Sequence, residues 1–341
     1  MDAAERVGLE QARSVSAGGR APPIKILAIA GTGQNGATLV SRMLGELPGF
    51  LAIGEVGRLW DKGLIEHVEC SCGAVFDACP FWTEIGRVAY GGWDRLDAAD
   101  IVRLRDSLVL KESRLQHPFA LPFLLAPGLW PAYRDRLVAY QELMSTLYRG
   151  IHEVNPDRII VDGMKIPAHV FMLSGLIPEF DVRFVHLVRD SRGVANSNAK
   201  VVPRQGSLAE QPYRGQRGPA KSAVRWTWFN LSSEVLSLVR RVPMMRIRYE
   251  TFVHDPAVAL KQMAAFMGES IDDVAFLHGR EASLSPGHLV AGNRMRLQSG
   301  PIVIREDDAW RRNLPPTSRR VVTGLTWPLL RHYGHLPSTQ R

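Results

Sequence analysis

The chain has 341 residues, 45% of them apolar and 22% charged, with 42 Lys and Arg against 34 Asp and Glu for a net charge of +8. That balance excludes a disordered chain, a coiled coil and a membrane bundle, and no apolar run approaches the roughly 20 residues that span a bilayer. Three cysteines are an odd count, poor for a disulfide scaffold, and fit a reducing, cytoplasmic setting. The cationic surplus points to anionic ligands or a basic surface; it is weak support for nucleic acid. The opening MDAAERVGLEQ carries acids and no apolar centre, so no secretory signal is read there. Residues 1–23 read as a flexible tail, and 24–341 as a single domain.

The run IKILAIA, residues 24–30, is short, β-branched and nearly all apolar, which predicts a buried parallel strand. GTGQNGATLVSRMLGEL follows at once, with Leu39, Met43, Leu44 and Leu47 on one helical face. Pro48 and Gly49 end that helix, and an irregular stretch runs to about residue 95. Amphipathic helices are predicted over 100–116 and 133–149, separated by the proline-rich HPFALPFLLAPGLWP. RIIVD (158–162), RFVHLV (183–188) and MMRIRY (244–249) read as three further strands. AHVFMLSGLI, RDSRGVANSNAK and KSAVRWTWFNLSSEVLSLVRR read as helices between them, with an exposed polar loop over 203–221. Asp255-Pro256 starts another helix, with Gly268 as its stop. Alternating strands and helices argue for an α/β fold with a mostly parallel sheet covered on both sides.

Strand, glycine loop and helix form a phosphate-binding first turn, because backbone N–H groups at a helix start attract an anion and glycine lets it come close. Gly31, Gly33 and Gly36 fit that use, with Thr38 adding a hydroxyl. A nucleoside-triphosphate loop ends in Gly-Lys-Ser/Thr, whereas this one ends Gly36-Ala37-Thr38 with no lysine. The dinucleotide spacing Gly31-x-Gly33-x-x-Gly36 is present, but an arginine-rich loop stands downstream where a lone acid would hold a ribose. A tight turn with no ligand is the plain alternative. Past the third strand, Arg189 and Arg192 form a second anion site at the sheet's carboxyl edge, with Ser197 two turns further on. The plain alternative there is that Arg189 pairs with Asp190.

Taken together, LAIAGTGQNGATLVSRMLGELPGFLAIGEV, CSCGAVFDACPFW, VDGMK, VRFVHLVRDSRGVANS, MRIRYETFVHDPAVALKQMAAFMG and HLVAGNRMRL resemble the sulfotransferase superfamily in order and spacing over about residues 24–311. The resemblance is to a bacterial branch related to the carbohydrate and tyrosylprotein sulfotransferases. It implies a P-loop-type three-layer sandwich with a central, mostly parallel sheet flanked by helices. It also implies 3'-phosphoadenosine 5'-phosphosulfate as donor, 3'-phosphoadenosine 5'-phosphate as product, and a hydroxyl on a small molecule, glycan or lipid as acceptor. Insertions at about 55–150 and 203–222 would lie on the acceptor side. A homodimer is open, and neither a nucleic-acid partner nor a membrane segment is implied.

By the same resemblance, Gly31, Thr32, Gly33, Gln34, Asn35, Gly36, Ala37, Thr38 and Leu39 hold the 5'-phosphosulfate, and Arg189 with Ser197 holds the 3'-phosphate. Arg248 and Tyr249 lie near the adenosine, and Asn293, Arg294 and Arg296 belong to a late segment that closes over the nucleotide. Lys165 contacts the transferring group and Glu55 is the general base. The family usually carries Arg or Lys at position 34, so Gln34 is a departure; it donates hydrogen bonds without charge, and Lys165 is placed to supply the missing cation. Two alternatives follow: a catalytically degenerate nucleotide-binding protein, and a P-loop small-molecule kinase.

No metal is expected, since the sulfuryl group carries less charge than a γ-phosphate and no acidic pair stands beside the loop. His169, His186 and His288 are secondary base candidates. His67, Cys70, Cys72 and Cys79 could form a four-ligand zinc set, but the spacing is unusual and packed free thiols are the plain reading. Trp226 and Trp228 are two apart on a helix and cannot share a face. Segments 55–95, 118–131 and 203–226 are candidate acceptor walls.

Overall fold

The computed structural model describes residues 22–108, 126–176, 179–200 and 217–336. The tail over residues 1–21, most of the proline-rich segment and most of the loop at 203–221 lie outside the described residues. Strands β1 (Ile24–Ala30), β2 (Phe50–Gly54), β3 (Ile159–Lys165), β4 (Phe180–Val188) and β5 (Met244–Arg248) form one parallel sheet in the order β2-β3-β1-β4-β5. The sequence reading contains four of these. Phe50–Gly54 sits inside the stretch read as irregular, because a five-residue edge strand straight after Pro48-Gly49 leaves little periodicity to see.

Alternation along β1 sets the two faces of the sheet. Ile26, Ala28 and Ala30 enter one apolar core, while Leu27 and Ile29 enter the other. The first core is filled by helices α2 (Pro80–Tyr90), α4 (Pro131–Val154), α5 (Pro167–Ser174) and α7 (Pro219–Arg240). The second is filled by α1 (Ala37–Gly45), α8 (Tyr249–His254) and α9 (Pro256–Phe266). These three layers are the α/β sandwich that the sequence predicts. The helix α3 (Ala98–Leu108) matches the described part of the segment 100–116. Asp255 caps α9, its carboxylate accepting the Val258 N–H at 3.1 Å. Gly268, at φ 83°, follows the end of that helix as its left-handed stop.

Three features lie beyond what the sequence reading contains. Strands β6 (Leu277–His278), β7 (Glu281–Leu284) and β8 (Gly300–Val303) make a small antiparallel sheet. They are too short to carry a period-2 signal. Short α10 (Trp310–Asn313) and long α11 (Pro316–His332) close the chain, with α11 packed on α7 and on α6 (Ser191–Ala199).

The sheet also contains a buried acid. Asp162 is fully buried, and its carboxylate accepts from Tyr148 Oη at 2.6 Å and the Met164 N–H at 3.0 Å, with His169 Nε2 at 2.7 Å. A buried carboxylate without such partners would be strongly destabilising. Here it clamps the end of β3, where the pairing with β1 shifts register between Ala28 and Ala30. The irregularity brings Lys165 opposite Ala30 with φ 66°. No helix among the described residues is long and apolar enough to cross a membrane.

Beyond the end of α11, His335 has a nearly buried side chain, with Nδ1 3.7 Å from Glu250. Burial pushes its pKa down to about 4 from 6.5; Asp190 opposes the shift, while Arg248 and Arg192 reinforce it. The unfolded chain therefore takes up this proton first as pH falls. The stabilisation is complete above pH 6.5 and is lost as pH falls towards 4. Urea unfolding should show about 2 kcal/mol less stability from this group at pH 4.5 than at pH 7. The His335→Gln variant should show a correspondingly flatter profile across that interval; an unchanged profile would remove His335 as its source.

Candidate functional site

Each parallel strand ends at the same edge of the sheet, and each is followed by a candidate residue. Gly31–Thr38 follows β1 and Glu55 follows β2; Lys165 ends β3, Arg189 follows β4, and Arg248-Tyr249 spans the end of β5. The strand order places Lys165, the glycine loop and Arg189 side by side at the centre. The Gly31 N–H donates to the Lys165 carbonyl at 2.9 Å, which ties the loop to β3.

The loop's glycines have different reasons to be glycine. At Gly31, φ is 141° and an added Cβ would meet the Leu187 carbonyl oxygen at 2.5 Å. At Gly36, φ is 93° and a Cβ would meet the Tyr249 ring at 2.5 Å. Both are required by the protein's own packing. A Cβ at Gly33 would meet no protein atom within 4 Å. Packing within the protein does not need a glycine there, and the backbone at Gly33 is open to approach. Helix α1 then begins at Gly36, which has no side chain to cap it, and carries no acid in its first turn.

Asn35 is fully buried and committed to the loop itself. Its amide donates to the Leu187 carbonyl at 3.0 Å and its Oδ1 accepts the Ala37 N–H at 3.1 Å. Its side chain therefore braces the turn, whereas the sequence reading makes it a donor to ligand. Gln34 is the left-handed residue, φ 71°, and its carbonyl accepts from Arg189 Nη1 at 2.7 Å. This contact joins the two anion sites that the sequence reads separately. Arg189 is 6% exposed; its Nη2 meets Asp307 Oδ2 at 2.8 Å and its guanidinium lies 4.8 Å from the Tyr249 ring centre. Burial raises the Asp307 pKa, but the Arg189 hydrogen bond and charge outweigh it and hold the carboxyl below its ordinary range. The alternative of Arg189 pairing with Asp190 does not occur: Asp190 pairs with Arg192 at 2.6 Å and caps α6 by accepting the Arg192 N–H at 2.8 Å.

Ser197 lies buried in the last turns of α6. Arg248 lines a cavity of about 150 Å³ with Arg189, Arg192, Glu250 and Asp307, and its buried Nε has no hydrogen-bond partner among the described residues. Burial raises the pKa of Tyr249 and of Glu250, the latter against hydrogen bonds from the Asp190 and Glu250 N–H groups. Leu39, in the first turn of α1, lines a larger hollow of about 750 Å³ with Met295, Ile302 and Ile304.

Glu55 and Lys165 form an ion pair, both side chains largely buried. The segment 289–297 lies across them. Glu55 donates its N–H to the Ala291 carbonyl at 3.3 Å, and the Asn293 N–H donates to Thr38 Oγ1 at 3.3 Å. A Cβ at Gly292 would lie 3.5 Å from Thr38 Oγ1 and 3.7 Å from Glu55 Oε1. Arg294 is exposed. Arg296 turns the other way, donating to the Glu69 carbonyl at 2.6 Å, and burial lowers its pKa. Arg42 was missed by sequence reasoning, where it reads as one polar residue of an amphipathic helix. It is 2% exposed and fastens α1 to this segment by donating to the Arg296 and Ser285 carbonyls.

The secondary histidines are engaged elsewhere. His169 is bound to Asp162, His186 Nε2 contacts Asn230 Oδ1 at 2.8 Å, and His288 faces the cysteines. The aromatic groups of 55–95 are mostly core: Trp60, Phe76 and Trp82 are fully buried, and Trp93 contacts Trp60 and Phe76 edge-on or tilted. Trp226 is also buried, its Nε1 donating to the Arg189 carbonyl at 2.8 Å. Trp228, on the other side of the helix, packs half-buried against the first core.

No curated protein matches this chain. Among solved structures, the sulfotransferase domain of the Synechococcus olefin synthase is 20% identical, covers 92% of this chain and 96% of its own, and gives a TM-score of 0.43. The sulfotransferase domain of the curacin biosynthetic pathway is 17% identical, with coverages of 90% and 99% and a TM-score of 0.45. The sulfotransferase STF1 of Mycobacterium tuberculosis is 16% identical, with coverages of 74% and 70% and a TM-score of 0.39. The model described as the sulfotransferase family matches residues 87–273, more than half of the chain and a span that includes Lys165, Arg189, Ser197 and Tyr249. This match carries the assignment: the chain belongs to the sulfotransferase family.

Proposed function

We propose that the protein moves a sulfuryl group from 3'-phosphoadenosine 5'-phosphosulfate to a hydroxyl of a small-molecule, glycan or lipid acceptor. One observation carries the reading: Arg189 is hydrogen-bonded to the Gln34 carbonyl, so the phosphate loop and the arginine site are parts of a single cradle. One end suits a 5'-phosphosulfate and the other a 3'-phosphate. The open face of Gly33, the Nε of Arg248 that has no partner among the described residues, and the hollow beside Leu39 support this reading. A kinase is disfavoured by the absence of lysine at the loop's end.

The bound donor supplies a sulfuryl group on a phosphate leaving group. The protein must then hold the two reacting oxygens in line and aim donors at the charge that develops. Loop N–H groups, Thr38 Oγ1 and Lys165 Nζ are the donors at that edge. Lys165 also stands in for the cation absent at Gln34. Glu55 takes the acceptor's proton. In the resting protein Lys165 neutralises Glu55; an anion beside Lys165 competes for that charge and frees the carboxylate to act as base. Asp307 plays the matching part on Arg189, occupying its second nitrogen until a phosphate takes the place. Asn35, Arg42 and Arg296 position the loop and the segment over it.

Titration calorimetry should show that Arg189→Ala weakens binding of 3'-phosphoadenosine 5'-phosphate by about 10- to 100-fold, the worth of a charge-assisted hydrogen-bonded pair. The analogue with a free 3'-hydroxyl should lose far less; equal losses would defeat the 3'-phosphate assignment. Glu55→Gln should bind the nucleotide normally and transfer labelled sulfate to an acceptor about 100-fold more slowly. An unchanged rate at saturating acceptor would remove Glu55 as the base. If the intact protein binds the nucleotide but transfers to no hydroxyl in a panel of sugars, phenols and lipids, it is a binding protein and the transfer reading fails.

A further inference from the structure

The three cysteines read as packed thiols converge in the fold on a histidine far along the chain. The Sγ atoms of Cys70, Cys72 and Cys79 and a ring nitrogen of His288 all lie within 4.8 Å of one another. Cys79 Sγ is 3.7 Å from Cys72 Sγ and 3.7 Å from Cys70 Sγ. His288 Nδ1 is 3.4 Å from Cys79 Sγ and 3.9 Å from Cys70 Sγ. A tetrahedral zinc ion, with bonds of about 2.3 Å to sulfur and about 2.0 Å to nitrogen, requires edges of about 3.8 Å between sulfurs and about 3.5 Å from sulfur to nitrogen. We propose that Cys70, Cys72, Cys79 and His288 form a structural zinc site of the Cys3His type. It goes beyond the transfer reaction and does not depend on it.

The fourth ligand differs from the one sequence spacing offers. His67 is exposed, 2.6 Å from Asp77 Oδ2, and takes no part. The single residue between Cys70 and Cys72 is accommodated by a tight turn. Gly73, at φ 93°, donates its N–H to the Cys70 carbonyl at 2.9 Å, and the Cys70 N–H donates to the Ala74 carbonyl at 2.8 Å. Cys79 occupies the N-cap position of α2, so its place is fixed by the start of that helix. The His288 ring is held in a stack on Phe81, centres 4.5 Å apart and planes within 5°, and its carbonyl accepts Trp82 Nε1 at 2.9 Å. Contacts of this kind hold a ligand side chain in place for a metal. A disulfide would use two of the sulfurs and leave the third cysteine and the histidine without a reason to converge.

Four protein ligands close the coordination shell, so the ion is structural. Its place in the fold gives it a task. His288 opens the segment whose Gly292 and Asn293 lie on Thr38 and Glu55. Next to it, the Leu289 N–H donates to Ser71 Oγ at 2.8 Å. The zinc therefore fastens the Cys70–Cys79 turn to the segment lying over the phosphate loop.

The test is metal content of the full chain, purified under reducing conditions without chelator and measured by elemental mass spectrometry. About one zinc per chain is expected, falling below about a tenth of an equivalent in His288→Ala and in Cys72→Ser while His67→Ala keeps it. Cobalt added to the metal-depleted protein should give a thiolate charge-transfer band and the intense visible bands of a tetrahedral centre. Zinc should protect all three thiols from a thiol reagent. An intact, folded chain that holds no zinc, gives no tetrahedral cobalt spectrum and exposes its thiols equally with and without zinc overturns the proposal. So does retention of zinc by His288→Ala with loss from His67→Ala.

Discussion

A guanidinium taken out of water must be surrounded by acceptors, and the candidate site is organised by how Arg189 meets that demand. It follows β4, beside the central strand, and is almost fully buried. The Gln34 carbonyl, the Asp307 carboxylate and the face of Tyr249 are its partners. Tyr249 in turn lies so close to Gly36 that no side chain fits there. The loop after β1, the residue after β4 and the end of β5 are thus one packed unit. Because Arg189 reaches the loop through its backbone, the identity of the side chain at position 34 is free to vary without breaking the unit.

The second organising group is a buried carboxylate. Asp162, with Tyr148 and His169 as donors on one side and the Met164 N–H on the other, fixes the irregular end of β3. From there Lys165 reaches Glu55, and its carbonyl holds the Gly31 N–H. A charge placed this way is paired within the protein, so the resting site balances its cations internally: Lys165 with Glu55, Arg189 with Asp307. Ion pairs of this kind keep both cations oriented by the fold itself.

Several polar side chains at the candidate site, two of them candidates from the sequence and one missed there, make contacts within the protein. Asn35 braces the turn, Arg296 reaches the Glu69 carbonyl, and Arg42 spans from α1 to the late segment. The distinction depends on which groups lie across from each side chain, and those groups are up to two hundred and fifty-four residues away. Local pattern contains no information of that range. The same limit explains His288: nothing near it in the chain marks it as a neighbour of Cys70, and the nearer His67 is the more natural guess.

The sequence by itself determined the sandwich and the position of the glycine loop within it. Buried strands of a parallel sheet are continuous apolar runs, helices repeat every 3.6 residues, and a glycine turn between them declares itself through residues that only a few conformations need. Those signals are local and survive without tertiary contacts, which is why four of the five central strands and the positions of Gly31, Arg189 and Tyr249 were legible. The tertiary structure alone decided the edge strand β2, the short antiparallel sheet, the pairing of Glu55 with Lys165 and the meeting of three cysteines with a histidine. Each of these arises from segments distant in sequence brought together by packing, and burial sets the chemistry of the groups that meet there.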